Sequence, residues 1–276
     1  MRDPTISVIM GTYNPDFKKL EIAIESIKSQ SFKDWEYIIC DDGSSNNAYE
    51  WLMNNYGYDR RFHILKNDKN IKLAATLNKC IDHSRGKYIA RMDDDDYSYP
   101  YRFEKEIDLL NKNKNVVFVS SSIDLYDGEK VVGKYSATLR PKKKNFLWGN
   151  PFAHPATIFR KECLLKVGKY RVSWITQRAQ DYDLFMRLYA FGYRGENIGE
   201  SLLQYLFNPL ANYKKNIKYA FQEMIIRFIG YKNMSILFPV GWLYMFKPII
   251  IKSIPNKILL KIKFRHISDL NKEGIL

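Results

Sequence analysis

Short apolar runs alternate with helical periodicity from Ile6 to Met92, and that alternation most limits how the chain can fold. Ile6-Ser7-Val8-Ile9-Met10 is a strand-like run that stops at Gly11-Thr12-Tyr13-Asn14-Pro15. Phe17, Leu20, Ile24 and Ile27 then recur at spacings of three, four and three, which marks one face of a helix. Residues 35–40 read as the next strand, ended by Asp41-Asp42-Gly43-Ser44-Ser45, with a helix over 49–54. A third strand covers 62–66. A helix over 71–83 puts Leu73, Leu77 and Ile81 on one face, and a fourth strand covers 88–92. The order β-α-β-α-β-α-β predicts an α/β fold with a mainly parallel sheet covered on both faces. In such sheets ligands bind at the carboxyl ends of the strands.

Four aspartates, Asp93-Asp94-Asp95-Asp96, follow the fourth strand directly. Adjacent carboxylates repel one another, and an ordered domain needs a counter-charge to hold four of them. Hard oxygen donors suit Mg²⁺ or Mn²⁺. A solvated acidic turn is the alternative. The strand before the run, and Tyr97-Ser98-Tyr99-Pro100 with a helix over 101–111 after it, favour the metal.

Further on, a strand over 116–122 leads into a hairpin around Asp127-Gly128, so the sheet should turn mixed. A strand is expected over 156–160, a short helix over 161–166 stopped by Gly168, and a helix over 181–191. That last helix turns Leu184, Phe185 and Leu188 inward and ends with Gly192 at C′. Another helix covers 213–231. With no repeat or low-complexity linker, the chain reads as one catalytic domain, residues 1–210, with a helical C-terminal extension, residues 211–276.

The formal net charge is +14, and residues 211–276 hold 12 Lys/Arg against 3 Asp/Glu. Such asymmetry points to an anionic partner at that end. Residues 236–246 are strongly apolar but broken by Pro239 and Gly241, and fall short of the roughly 20 residues that span a bilayer. Residues 249–266 mix Ile, Leu and Phe with Lys252, Lys257, Lys261, Lys263 and Arg265. They read as an amphipathic segment on an anionic membrane surface, or as helices packed on the catalytic domain. Interleaved Ile and Leu favour lipid, and no nucleic-acid partner is expected. Cys40, Cys80 and Cys163 lie far apart and read as buried thiols of a reducing compartment. No leader-like segment precedes the first strand. These features predict a cytoplasmic protein, peripheral at the inner face of the cell membrane.

No G-x-x-x-x-G-K-[ST] and no G-x-G-x-x-G after a strand occur, which weakens ATPase and dinucleotide readings. No G-x-S-x-G elbow occurs either. What remains is a set of strand-end carboxylates and a later acidic helix start. In these the sequence resembles the inverting family-2 glycosyltransferases of the bacterial surface-polysaccharide type, over residues 5–206. The resemblance rests on several elements in order. They are Val8-Ile9-Met10-Gly11-Thr12-Tyr13-Asn14, Ser29-Gln30-Ser31-Phe32, Asp41-Asp42-Gly43-Ser44, Asn70-Ile71-Lys72-Leu73-Ala74-Ala75-Thr76-Leu77-Asn78, Ala90-Arg91-Met92 with the aspartates, His154-Pro155, Val167-Gly168-Lys169-Tyr170, and Gln180-Asp181-Tyr182-Asp183.

The resemblance implies the GT-A fold, a Rossmann-like, mainly parallel mixed sheet flanked by helices, and a nucleotide-sugar donor, UDP-linked. Thr12 and Tyr13 would flank the base, and Asp42, with Asp41, would accept hydrogen bonds from base or ribose. Asp93 and Asp94 would face the donor. Asp95 would bind Mn²⁺ or Mg²⁺ at the diphosphate. Asp181 would deprotonate an acceptor hydroxyl. His154, Trp174, Gln177 and Arg178 would contact acceptor or diphosphate, the last three from a loop expected to move. Taken alone, Asp41 to Ser44 reads as a turn and cap, Asp181 as a first-turn helix acid, and His154 as structural.

Departures from the family pattern are Gly11 in place of Pro, Lys72 where Gly is common, and Gln180 in place of the first acid of a Glu-Asp pair. The Gln-x-x-Arg-Trp signature of processive synthases is absent, which points to addition of a single sugar. The expected function is metal-dependent, inverting transfer of that sugar to a glycan hydroxyl, lipid-linked in surface polysaccharide assembly. Two rivals make different predictions. A sugar nucleotidyltransferase would release pyrophosphate and need no base at Asp181. A basic membrane-binding module with a vestigial nucleotide site would bind without Asp95 or Asp181.

Overall fold

The computed structural model describes residues 3–207 and 217–253. Its first half follows the alternation: β1 (Ile6–Thr12), α1 (Phe17–Lys28), β2 (Trp35–Asp41), α2 (Ala48–Tyr56), β3 (Phe62–Lys66), α3 (Leu73–His83) and β4 (Tyr88–Arg91). β1 pairs in parallel with both β2 and β4, and β2 pairs in parallel with β3. The strands are apolar on both faces because both faces are covered. Ile9, Ile38, Cys40 and Ile89 face α3, against Leu77, Cys80 and Ile81. Val8, Met10, Tyr37 and Ile39 face the other way, against Leu20, Ile24 and Ile27 of α1. The two sets alternate along each strand with the period of the pleat. Truncating one of these side chains, as in Ile38→Ala, costs about 2–5 kcal/mol. The start of α1 is fixed by Asp16, whose carboxylate accepts from the backbone N–H groups of Lys18 and Lys19.

The second half comprises β5 (Tyr97–Ser98), α4 (Arg102–Lys112), β6 (Val116–Tyr126), β7 (Val131–Tyr135), β8 (Ile158–Arg160), α5 (Lys161–Lys166), α6 (Gln180–Ala190), β9 (Arg194–Leu206), α7 (Ile217–Asn233), α8 (Trp242–Tyr244) and α9 (Lys247–Ser253). The nine-stranded sheet runs β3-β2-β1-β4-β8-β6-β9-β5, with β7 on β6. β8 is antiparallel to β4 and to β6, so the mixed pairing expected after the aspartates is present.

The longest strand, β9, has no counterpart in the sequence reading. Its first half, Arg194-Gly195-Glu196-Asn197-Ile198-Gly199-Glu200, lacks apolar alternation. Gly195 is required there because a Cβ would run into the Phe118 ring. β8 starts at Ile158 rather than at 156, because His154–Ala156 forms a 3-10 turn with Pro155 inside it. Of the helix expected over 213–231, residues 213–216 lie outside the described residues, as do 254–266 of the amphipathic segment. The described part of the C-terminal extension packs into the main core, where Ile226, Tyr231 and Met234 join Tyr182 and Leu184 of α6.

Candidate functional site

The carboxyl ends of β1 and β2 open onto a cavity of about 590 Å³. Gly11, Thr12 and Tyr13 at the end of β1 line one side, and Asp42 after β2 lines the next. Lys72 and Thr76 of the α3 start, Gln177, Arg178 and Gln180, and Tyr219 of α7 complete it. Thus Thr12, Tyr13, Asp42, Gln177 and Arg178 line one cavity.

Asp42 is buried, and its carboxylate is already engaged by the chain. Oδ1 accepts from Asn67 Nδ2 (2.9 Å) and Ile71 N (2.9 Å), and Oδ2 accepts from Lys72 N (3.0 Å). It therefore ties the link after β2 to the start of α3 and leaves one oxygen with room for a further donor. Lys72 sits at φ 76°, ψ 154°, a region that side-chain-bearing residues rarely adopt. This is the position where the sequence carries Lys for a common Gly. Asp41 is buried beside it, with Oδ1 accepting from Ser44 N (3.2 Å) and Oδ2 without a partner among the described residues.

The acidic turn after β4 is held at three points. Thr12 donates its hydroxyl to Asp94, Arg91 pairs with Asp93, and Asp96 Oδ1 accepts from Leu206 N of β9 (3.0 Å). Asp95 is the most exposed of the four, though still partly covered by its neighbours, and has no ion-pair partner among the described residues. Burial, then the charges of Asp93 and Asp94, push its carboxyl up to about 6. Burial, tempered by the Thr12 hydrogen bond, also raises Asp94. Burial with Asp93 and Asp95 raises Asp96 strongly. Asp96 turns inward onto β9, and its Oδ2 has no partner among the described residues.

Asp181 enters from the first turn of α6. Its Oδ2 accepts from Asn150 Nδ2 (2.9 Å), and burial raises its carboxyl, with the charge of Asp93 adding to the effect. Tyr205 lies on β9, next to the Leu206 whose N–H reaches Asp96. Burial, then the charges of Asp96, Asp93, Asp95 and Asp181, push its phenol up to about 12. Neither the acidic turn nor Asp181 lines the cavity itself; the turn adjoins it through Thr12, which donates to Asp94, and Asp181 follows Gln180 of its wall.

Among the described residues no three His, Cys, Asp or Glu side chains form a ready cage for a metal. The donors present nonetheless fit a hard divalent cation of the Mg²⁺ type. Such an ion keeps waters and takes one or two carboxylates plus substrate phosphates. Four adjacent carboxylates with one arginine paired to them, and one buried oxygen, Asp96 Oδ2, without a partner among the described residues, provide the unmet negative charge.

The other expected contacts divide. Trp174 lines a neighbouring cavity of about 230 Å³ with Ile71 and Val172. The segment carrying it contains a 3-10 turn, Trp174–Thr176, that contacts α7. Gln222 Nε2 donates to Trp174 O (2.6 Å), and the Arg178 guanidinium lies 5.4 Å from the Tyr219 ring centre. His154 lines neither cavity. It is buried, with Nε2 2.7 Å from the Tyr170 hydroxyl, and burial beside Arg91 holds it well below the usual imidazole range.

A family model described as "Glycosyl transferase family 2" matches residues 7–165. That match covers more than half of the chain and includes the ends of β1 and β2 that line the cavity and the aspartates after β4. This chain is a member of glycosyl transferase family 2. The Bacillus subtilis protein named "Putative glycosyltransferase EpsE" is 32% identical over 99% of this chain and 98% of its own length. An Escherichia coli enzyme, UDP-Gal:alpha-D-GlcNAc-diphosphoundecaprenol beta-1,3-galactosyltransferase, is 29% identical over 83% of this chain and 84% of its own. Among solved structures, S. aureus TarS 1-349 with UDP-GlcNAc superposes with a TM-score of 0.66 at 14% identity, covering 84% of this chain and 71% of that one. The Pyrobaculum calidifontis mannosyltransferase PcManGT, with GDP-Man and Mn²⁺, does so with a TM-score of 0.63 at 15% identity, covering 96% and 80%. These likenesses establish the GT-A fold of this glycosyltransferase.

Three residues of its cavity region escaped the sequence reading. Arg91 had a signal, a charge inside an apolar strand one residue before the acids. It is fully buried, with Nε and Nη1 unpartnered among the described residues. Asn150, which holds Asp181, and Tyr219, which closes the cavity from α7, had no local signal.

Proposed function

We propose that this glycosyltransferase moves one sugar, with inversion, from a UDP-sugar to a hydroxyl of a lipid-linked glycan. The observation that carries the reading is the placement of Asp181. It sits in the first turn of α6 directly after Gln180 of the cavity wall, with Oδ2 held by Asn150 Nδ2 at 2.9 Å, and burial raises its carboxyl. A base of that kind works best when its pKa lies nearer the working pH than an ordinary aspartate. In a single displacement the acceptor O–H proton passes to Asp181, and the oxygen forms the bond to the anomeric carbon. The bond from that carbon to the diphosphate breaks, and its electron pair leaves with the diphosphate.

Thr12, Tyr13, Asp41 and Asp42 would hold base and ribose, with Asp93 and Asp94 toward the sugar. Asp95 would hold Mn²⁺ or Mg²⁺, which when bound supplies positive charge for the departing diphosphate. Trp174, Gln177 and Arg178 would meet acceptor or diphosphate, while His154 would act from behind through Tyr170. Residues 1–210 would carry the chemistry, and residues 211–276 would bring the protein to the inner membrane surface. The UDP and lipid-linked parts draw support from what the Escherichia coli relative's name states. The GDP-Man in one structural neighbour makes the base worth testing.

The test incubates the protein with UDP-, GDP- and dTDP-sugars, with Mn²⁺ or EDTA, and follows nucleoside diphosphate release. Metal-dependent release from one UDP-sugar, lost in Asp95→Asn, is expected. An axial-to-equatorial change at the transferred anomeric carbon, read by NMR of the product, checks inversion. Absence of both release and metal-dependent nucleotide binding would falsify the reading.

A further inference from the structure

Elsewhere in the molecule large apolar side chains mostly turn inward, but along residues 238–250 they turn out. Phe238 is 75% exposed, and Val240, Trp242, Leu243, Phe246 and Ile250 are exposed with it. A run of this kind marks a surface that meets something other than water.

The segment is not a loose end. α7 beneath it is anchored in the core, where the Tyr231 hydroxyl donates to Phe146 O (3.1 Å) and Arg227 Nη1 donates to Leu147 O (3.2 Å). α9 packs back onto α7. Lys247 donates to Trp148 O and lies 5.4 Å from the centre of that indole. The Tyr244 ring meets the same indole edge-on at 5.1 Å. Trp148, 67% exposed, thus joins the patch from a distant part of the chain.

The charge around the patch has one sign. Lys143 Nζ donates to Met234 O (3.1 Å), which sets the basic loop Lys142-Lys143-Lys144 against the start of the segment. Residues 130–161 contain 8 Lys/Arg and residues 224–253 contain 4, and neither stretch contains an Asp or Glu. A second copy of the same face would set lysines against lysines across a two-fold axis. Exposed indole and phenyl rings ringed by lysines match the headgroup level of a bilayer. There the apolar bodies enter the acyl boundary and the ammonium groups meet anionic headgroups. Among the described residues no helix is long and apolar enough to cross a membrane, so the fit is to the surface.

We propose that residues 238–250, with Trp148 and the lysines at 142–144 and 247, seat this protein on an anionic lipid bilayer. The inference rests on the membrane placement proposed above and gives it a surface. α7 joins that surface to the donor cavity. Its Tyr219 lines the cavity and its Gln222 holds the Trp174 carbonyl. From Tyr219 to the end of α7 at Asn233 is about 20 Å of helix, so docking fixes the height of the cavity rim.

The full chain is sedimented with phosphatidylglycerol/phosphatidylcholine vesicles and with phosphatidylcholine alone. Binding to the anionic vesicles, a blue shift of tryptophan emission and weakening by salt are expected. Phe238→Ser with Leu243→Ser should lower partitioning at least tenfold. Lys142→Glu with Lys144→Glu, at exposed positions that leave the fold intact, should lower it by roughly fivefold per lysine. Nucleoside diphosphate release, measured without vesicles, should stay within about twofold in both variants. Failure of the wild type to bind anionic vesicles, or unchanged binding in both variants, overturns the proposal. A concentration-dependent dimer lost in the apolar variant, with no vesicle binding by the wild type, gives the face to a second copy instead. Vesicle binding without donor turnover in any protein would remove the UDP-sugar reading and leave the docking surface standing.

Discussion

The sheet carries carboxylates at both ends of its strands and treats them in opposite ways. At the amino end, Glu36 of β2 is buried and fully engaged. It accepts from the Ser7 hydroxyl (2.6 Å) and Arg85 N (2.7 Å), pairs with the Arg85 guanidinium (2.6 Å) and lies 3.2 Å from His63 Nε2. Burial pushes its carboxyl up, but the hydrogen bonds from Ser7 and Arg85 and the Arg85 charge outweigh it and hold the group below its ordinary 4.5. At the carboxyl end, Asp94, Asp95, Asp96 and Asp181 are all raised. At the amino edge Arg85 meets a single acid; at the carboxyl edge hydrogen bonds hold the acids in place, and among four adjacent aspartates one arginine, Arg91, forms an ion pair. A shared strand geometry therefore does not predict which edge binds; the state of compensation does.

The largest break should come at the open edge, in activity alone. Asp181→Asn should lower transfer by about 10²–10⁴-fold, measured as product formation under saturating donor. Asp95→Asn should also abolish metal-dependent turnover. In metal-free buffer the same variant should melt no lower than the wild type, and up to about 1 kcal/mol more stable, because like charges have been thinned.

A buried pair away from both edges sharpens the contrast. Arg102 and Glu106 of α4 are fully buried together, and Arg102 also donates to Arg91 O (2.9 Å), just before the acidic turn. Burial pushes Glu106 up to about 7 despite that partner. Arg102→Leu should cost about 3–5 kcal/mol in denaturant titrations. A raised carboxyl pKa penalises the folded state as pH rises from 4.5 toward 7, so the deficit should be greatest above pH 7 and shrink in acid.

At the closed edge the effect should fall on stability alone. Glu36→Gln should cost about 2 kcal/mol at pH 7 with turnover unchanged. Because the folded pKa is lowered, the wild-type advantage is present above 4.5 and vanishes as pH falls through the lowered value. Melting curves of the two proteins should converge in acid. The smallest change belongs to Lys72→Gly. Release from φ 76° should stabilise the chain by about 1 kcal/mol, offset in part by the entropy of glycine.

The parallel half was legible because both faces of β1, β2 and β4 are buried, so local apolar runs and global fold agree. The cavity was legible where strand ends carry it, at Thr12 and Asp42. It was not legible where partners come from afar. Asn150 reaches Asp181 across 31 positions, and nothing local marks it. β9 escaped because its first half is polar and its Gly195 answers to the Phe118 ring rather than to any strand propensity. His154 looked like a contact and proves to be packed on Tyr170, because a motif residue and a cavity residue need not coincide.

The clamp of Leu206 on Asp96 spans 110 positions of chain, and this sets a schedule. Synthesis at roughly 5–20 residues per second puts about 5–20 s between the emergence of the acidic turn and that of its last support. During that interval β1 to β4 can assemble on the ribosome while β5 has no β9 to pair with. Nascent chains arrested near residue 190 are therefore predicted to resist protease in the parallel half yet gain no protection from Mn²⁺. Chains arrested far enough beyond residue 206 to clear the exit tunnel should gain it, and equal protection at both lengths would refute the schedule.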